Sequence, residues 1–115
     1  MTNWSHRIDT LTDWVNTNYG YPVVLDLELP VLGRVHYADE AGGPLISLNT
    51  PNAREAYLTL AHEIGHVLGH EKRPWSEFRE RQALVYGWRV MVEVFTDPLV
   101  SRSEWLDWHL QPALD

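Results

Sequence analysis

The sequence contains no cysteine among its 115 residues, which excludes disulfide bonds and cysteine-based metal sites. Any bound metal ion would therefore have to use His, Asp or Glu side chains. Basic residues are also scarce, because nine Lys and Arg stand against sixteen Asp and Glu and give a formal charge of −7. A nucleic-acid surface needs clustered Lys and Arg. The composition therefore predicts a protein that binds no nucleic acid.

Long hydrophobic runs are missing as well. No run approaches the ~20 apolar residues that span a membrane, and the N-terminus lacks the basic and then apolar pattern of a signal peptide. We therefore expect a cytoplasmic protein with no membrane contact. The length predicts one domain over residues 1–115, for which six Trp and five Tyr supply apolar surface. The sequence indicates no oligomeric state.

The spacing of apolar and turn-forming residues predicts an α+β fold. A helix over residues 4–18 precedes three short strands, which we expect to form a mostly antiparallel sheet. The predicted strands cover residues 22–27, 31–37 and 45–48. Two further helices should pack against each other, at about 51–70 and 75–95, and a capping box at Ser101 and Glu104 predicts a short C-terminal helix ending near residue 110.

The start of the second helix can be placed in two ways. Thr50 can serve as the N-cap with Pro51 in the first turn, as is common at helix starts. Alternatively, Asn52 is the N-cap and Glu55 caps it in return.

The most informative part of this helix is the H-E-x-x-H motif of His62, Glu63 and His66. Helical residues four apart lie one turn apart on nearly the same face, so both imidazoles can bind one tetrahedral Zn²⁺. Glu63 can then act as the general base on a zinc-bound water. This arrangement predicts a zinc metallopeptidase, a hydrolase whose metal ligands include His62 and His66.

The apolar residues of the same segment recur at the spacing of one helix face. They are Ala53, Tyr57, Leu60, Ile64, Val67 and Leu68. The two histidines fall on the opposite face, which predicts that another helix covers them. The alternative is a solvated polar face that carries the motif by coincidence.

Catalytic zinc usually has three protein ligands and one open position. The candidates that follow the motif are His70, Glu71, Glu77 and Glu80. His70 lies eight residues beyond His62, about 12 Å along a straight helix, so it cannot share the metal. We expect it at the helix end. The metzincin pattern is excluded because Lys72 occupies the position of its third histidine.

Glu80 is the preferred third ligand. It begins the line E-x-x-A-x-x-x-G, which places Ala83 and Gly87 on the same face of the third helix. Small residues let two helices approach closely, so a carboxylate one turn earlier can reach a metal on the neighbouring helix. Glu77 could face the same way and is the alternative.

The segment 60–70, followed by Glu80-Arg81-Gln82-Ala83, resembles the ImmA/IrrE family of metallopeptidases, and in particular its short versions from phages and mobile elements. The family combines an H-E-x-x-H helix with a second helix that carries E-x-x-A or E-x-E-A. The resemblance implies a minimal zincin-like fold, with His62, His66 and Glu80 as zinc ligands and Glu63 as the catalytic base. It further implies that residues 45–48 form the edge strand of the cleft.

The resemblance also implies limited proteolysis of a regulatory protein, such as a helix-turn-helix repressor. An acidic surface suits a basic DNA-binding partner. An extended substrate could add to the strand over residues 45–48, and Tyr86, His36 and His109 are candidates for a second donor to the oxyanion. Two alternatives remain: a non-catalytic, zinc-stabilised interaction module, and a metal-free domain whose motif is coincidental.

Overall fold

The computed structural model describes residues 3–72 and 79–110, with side chains described up to residue 70 in the first range. The described chain has an α+β architecture of four helices and three strands. In chain order these are α1 (Trp4–Tyr19), β1 (Val23–Leu25), β2 (Gly33–His36), β3 (Leu45–Leu48), α2 (Ala53–Lys72), α3 (Arg79–Val94) and α4 (Arg102–Trp108). Residues 75–78 of the predicted third helix, Glu77 among them, and the side chain of Glu71 lie outside this description.

The three strands form one mixed sheet in the order β1-β3-β2. β1 pairs with β3 in parallel and β2 pairs with β3 antiparallel, so the expectation of a mostly antiparallel sheet was wrong. The predicted edge position of Leu45–Leu48 was also wrong, because β3 lies in the centre. Its buried side chains Ile46 and Leu48 explain this position, since a central strand is the best covered by the core.

Local capping determines where the helices begin. The Asn52 side chain accepts a hydrogen bond from the Glu55 amide at 3.0 Å, and α2 begins at Ala53. The second of the two predicted starts is therefore confirmed, and Thr50 is not the cap. The predicted capping box at Ser101 and Glu104 is present in full at the start of α4.

Helix α2 lies at the centre of the molecule. All its side chains from residue 56 to 69 are buried, because α1, the sheet and α3 all pack around it. A helix that is buried all round has no solvated face. None of the described helices has the combination of length and apolar character that would let it cross a membrane.

Candidate metal centre

The H-E-x-x-H motif forms a compact buried cluster on α2. His62, Glu63 and His66 each offer one ligand atom, and these atoms lie within 4.8 Å of one another. Their exposures are only 0%, 1% and 4%, so the alternative of a solvated polar face does not hold. The two imidazole rings are 4.7 Å apart and perpendicular. Buried polar groups of this kind normally have a partner or bind a metal.

Helix α3 reaches this cluster because α2 and α3 touch backbone to backbone. A Cβ atom added at Gly65 would collide with the carbonyl oxygen of Ala83 and lie 2.8 Å from the Gly87 nitrogen. One added at Gly87 would lie 2.7 Å from the Ala61 carbonyl oxygen. The predicted close approach at Ala83 and Gly87 is therefore confirmed, and Gly65 is its counterpart on α2.

This crossing places Glu80, in the first turn of α3, beside both histidines. Its two carboxylate oxygens lie 3.3 Å from His62 Nε2 and 3.1 Å from His66 Nε2. Ligand atoms about 2.0–2.2 Å from a tetrahedral Zn²⁺ are separated from one another by roughly 3.3–3.5 Å. The two nitrogen–oxygen distances are therefore close to those between neighbouring ligands of a zinc site.

The charge state of Glu80 also suits a ligand. Partial burial alone would raise the pKa of its carboxyl group, but hydrogen bonds from His62 and His66 and the charges of these two rings lower the pKa to about 2. A carboxylate that remains ionised at neutral pH can bind a cation. The Glu80 side chain is 61% exposed, so it forms the open side of an otherwise buried cluster.

Glu63 is covered by the sheet. A Cβ atom added at Gly33, the first residue of β2, would lie 3.0 Å from Glu63 Cγ and 2.7 Å from Thr59 Cγ2. Only a glycine lets the strand lie this close to α2. Gly33 was not among the predicted site residues, although a glycine inside a strand pattern is a signal of close backbone approach.

His109, at the end of α4, contacts the cluster through a ligand candidate. Its Nε2 lies 2.9 Å from His62 Nδ1 and its Nδ1 lies 2.7 Å from the carbonyl oxygen of Trp105. Burial lowers the pKa of His109 to about 4, so the ring is neutral at neutral pH. Both nitrogens are engaged, and the predicted role as a donor to a substrate oxyanion was therefore wrong.

The other predicted candidates lie elsewhere. His70 stacks on Tyr37 with ring centres 3.9 Å apart, and its Nε2 is 3.4 Å from Asp39. As expected, it does not join the cluster. Tyr86 packs against Arg89, and His36 is a half-buried residue of β2.

Tyr37 is a polar group near the cluster that sequence reasoning did not single out. Its hydroxyl accepts a hydrogen bond from Arg79, the residue before Glu80, at 3.1 Å. Burial raises the pKa of the Tyr37 hydroxyl, Arg79 opposes this effect, and the nearby Glu63 charge adds to it. The tyrosine is therefore neutral and able to donate a proton to a hydrogen bond.

Comparison of the chain with known protein families, with characterised proteins and with solved structures gives no match. Function must therefore be argued from the geometry of this cluster.

Proposed function

We propose that this protein is a zinc-dependent endopeptidase with a minimal zincin-like fold, similar to the ImmA/IrrE metallopeptidases. One observation carries the proposal: a carboxylate from α3 lies 3.1 and 3.3 Å from the Nε2 atoms of both motif histidines. If the motif were coincidental, nothing would require a carboxylate from a separate helix to lie beside both histidines. His62, His66 and Glu80 would hold the ion.

Glu63 is then left for proton transfer. Zinc, when bound, would lower the pKa of a water molecule and polarise the scissile carbonyl. The Glu63 carboxylate would accept the proton from the attacking water and pass it to the nitrogen of the leaving amine. Its contact with Gly33 limits its movement, which favours a fixed position for this transfer.

The sheet offers a place for the substrate on β2. The Asn49 backbone amide donates a hydrogen bond to the Leu32 carbonyl oxygen at 2.7 Å. Because hydrogen-bonded pairs alternate along an antiparallel ladder, the residues of this edge that bond to the β3 side are the even-numbered ones from 32 to 36. The backbone groups of Gly33 and Val35 therefore point away from β3. Within the described part of the chain, no strand pairs with that side. An extended peptide added there would lie next to Glu63.

This mode of binding suits a flexible segment of a protein. Limited proteolysis of a regulatory partner, such as a helix-turn-helix repressor, fits both the resemblance of the motif and the charge of −7. A basic DNA-binding protein would be attracted to such a surface. We place the reaction in the cytoplasm of a cell that carries a phage or mobile element.

A second candidate function is a non-catalytic module that retains zinc for stability and binds its partner intact. The observation that favours it is the 1% exposure of Glu63, since a general base must be reached by water and substrate.

Two measurements test the proposal. The purified protein should contain about one zinc ion per chain, which His62→Ala should abolish. Glu63→Gln should retain zinc and lose cleavage of a susceptible repressor by a factor of 100 or more. Zinc-free wild-type protein would contradict both candidates. Full biological activity of Glu63→Gln in cells would contradict catalysis and leave the zinc-stabilised module.

A further inference from the structure

A chain of two hydrogen bonds links the metal centre to helix α4. The Trp105 carbonyl oxygen can only accept, so His109 Nδ1 must donate to it across 2.7 Å. With Nδ1 donating to Trp105, Nε2 is the nitrogen of His109 that can accept, and it lies 2.9 Å from His62 Nδ1. When a cation binds His62 through Nε2, the remaining ring proton of His62 lies on Nδ1 and is donated to His109.

This chain fixes which nitrogen of His62 carries the proton. When a cation replaces the proton that Nε2 shares with Glu80, the chain holds the remaining proton on Nδ1 and leaves the Nε2 lone pair for the ion. That nitrogen is the one 3.3 Å from the Glu80 carboxylate. His109 thus determines both the tautomer and the orientation of the ring at the point where a cation would bind.

The position of His109 is itself tightly fixed. Its ring packs against Trp105, with ring centres 4.2 Å apart, and against Trp108 at 5.0 Å. The Trp105 indole donates to the Leu84 carbonyl of α3 at 2.9 Å. Its ring lies against Gly87, where an added Cβ would be 2.8 Å from it. Gly87, which lets α2 approach α3, therefore also makes room for the α4 residue Trp105.

The geometry points to His109 as a positioning residue that presents His62 Nε2 to a divalent metal ion. This inference rests on the proposed zinc site but not on proteolysis. Partners that hold a ligand imidazole in this way typically change metal affinity 10–100-fold when they are removed. α4 is then a part of the metal centre, although it supplies no ligand.

The test compares two substitutions of His109. His109→Phe keeps a ring between the two tryptophans and removes the acceptor, whereas His109→Gln retains an acceptor near the Nε2 position. We expect the zinc dissociation constant, measured by competition with a chelator, to rise 10–100-fold in His109→Phe and only a few-fold in His109→Gln. Leu106→Ala is the matched control, because it shortens a 40% exposed apolar side chain on the same helix. It should disturb α4 packing and leave zinc affinity within a few-fold.

A second measurement does not require the variants to fold. In ¹⁵N-labelled wild-type protein loaded with zinc, His62 should carry its proton on Nδ1 and bind the ion through Nε2. Unchanged zinc affinity in His109→Phe, or coordination through His62 Nδ1, would overturn the inference. Zinc binding with the expected pattern but no cleavage of any partner would support it and contradict only the peptidase.

Discussion

At the scale of single residues, the candidate site depends on the carboxylate of Glu80. The sequence predicted its position beside the histidines only indirectly, from the close packing of two helices. Glu80 is separated from His62 by 18 positions, yet its oxygens lie 3.1–3.3 Å from both histidines. The E-x-x-A-x-x-x-G line predicted it because small residues mark a close helix contact. The role of His109 could not be predicted, since no local pattern specifies a hydrogen bond between residues 62 and 109.

Substitution of Glu80 tests the third ligand directly. Glu80→Gln removes the anionic ligand but keeps the shape of the side chain, so we expect zinc affinity to fall at least 100-fold. Glu77→Gln, at the alternative ligand predicted from the sequence, is the matched control and should bind zinc as wild type does. The measurement is zinc titration in competition with a chelator. The reverse order of the two variants would make Glu77 the ligand.

Tyr57 gives a pH-dependent prediction away from the metal centre. Its buried hydroxyl donates to the Pro98 carbonyl at 2.7 Å, and burial raises its pKa to about 12, with a partial offset from Arg7. An unfolded tyrosine titrates near pH 10. The unfolded state therefore loses its proton first, and the stabilisation from Tyr57 is present below pH 10 and lost between about pH 10 and 12.

Tyr57→Phe should therefore cost about 1 kcal/mol at pH 8 through loss of the hydrogen bond. The difference from wild type should shrink as the pH rises above 10. Urea unfolding at pH 8, 10 and 11 measures it, and the exposed Tyr19→Phe should show no such trend. A constant difference at all three values would contradict this account of the Tyr57 hydroxyl.

At the scale of elements, the backbone contact between α2 and α3 carries the site. Gly65→Ala would place a methyl group against the Ala83 carbonyl and the Gly87 amide, neither of which can rotate away. We expect a loss of about 2–4 kcal/mol in the free energy of unfolding and weaker zinc binding. Gly69→Ala is the control on the same helix, because the three atoms nearest to its new methyl all belong to the Gln82 side chain, the closest at 3.1 Å, and none is a backbone atom. It should change stability by less than about 1 kcal/mol, and equal effects of the two would contradict the argument.

Strand β2 provides the second prediction at this scale. Val35→Pro removes an amide hydrogen that points away from β3, so the sheet ladder should survive while addition of a substrate strand weakens. We expect KM for a cleaved peptide to rise about tenfold with zinc content unchanged. Arg34→Pro removes an amide that faces β3 and should instead destabilise the fold. A Val35→Pro variant that cleaves like wild type would place the substrate elsewhere.

The helices were predicted better than the sheet. Amphipathic spacing and caps reside in local sequence, so the start of α4 at Ser101 and one of the two proposed starts of α2 were confirmed. The mostly antiparallel pairing and the edge position of β3 were predicted wrongly, because pairing depends on contacts between segments about 20 residues apart. Strands of three and four residues are too short for the alternation of buried and exposed side chains to show which strand is central.

At the scale of the whole molecule, a metal ion at this site would join α2 to α3. Binding to the folded state alone stabilises it by about 2.7 kcal/mol when free zinc is 100 times the dissociation constant. For a domain of this size, we expect the melting temperature to fall by roughly 10 °C when zinc is removed with a chelator. Calorimetry with and without chelator measures the shift. Glu80→Gln should show almost none, and a wild-type protein insensitive to chelation would exclude a ligand set that spans the two helices.

The contact at Gly65, Ala83 and Gly87 has a consequence for selectivity among cations. Backbone atoms set the separation of the two helices, so the backbones that carry the histidines and Glu80 are held at a fixed spacing, and only the exposed Glu80 side chain can adjust by rotation. Ca²⁺ needs six to eight oxygen ligands at 2.3–2.6 Å, and Mg²⁺ needs an octahedron of oxygens. Neither suits two imidazoles in a narrow cleft. At the proposed zinc site, discrimination against these abundant ions would follow from two imidazole ligands held at this spacing, and the choice within the first-row transition metals would follow their supply in the cell.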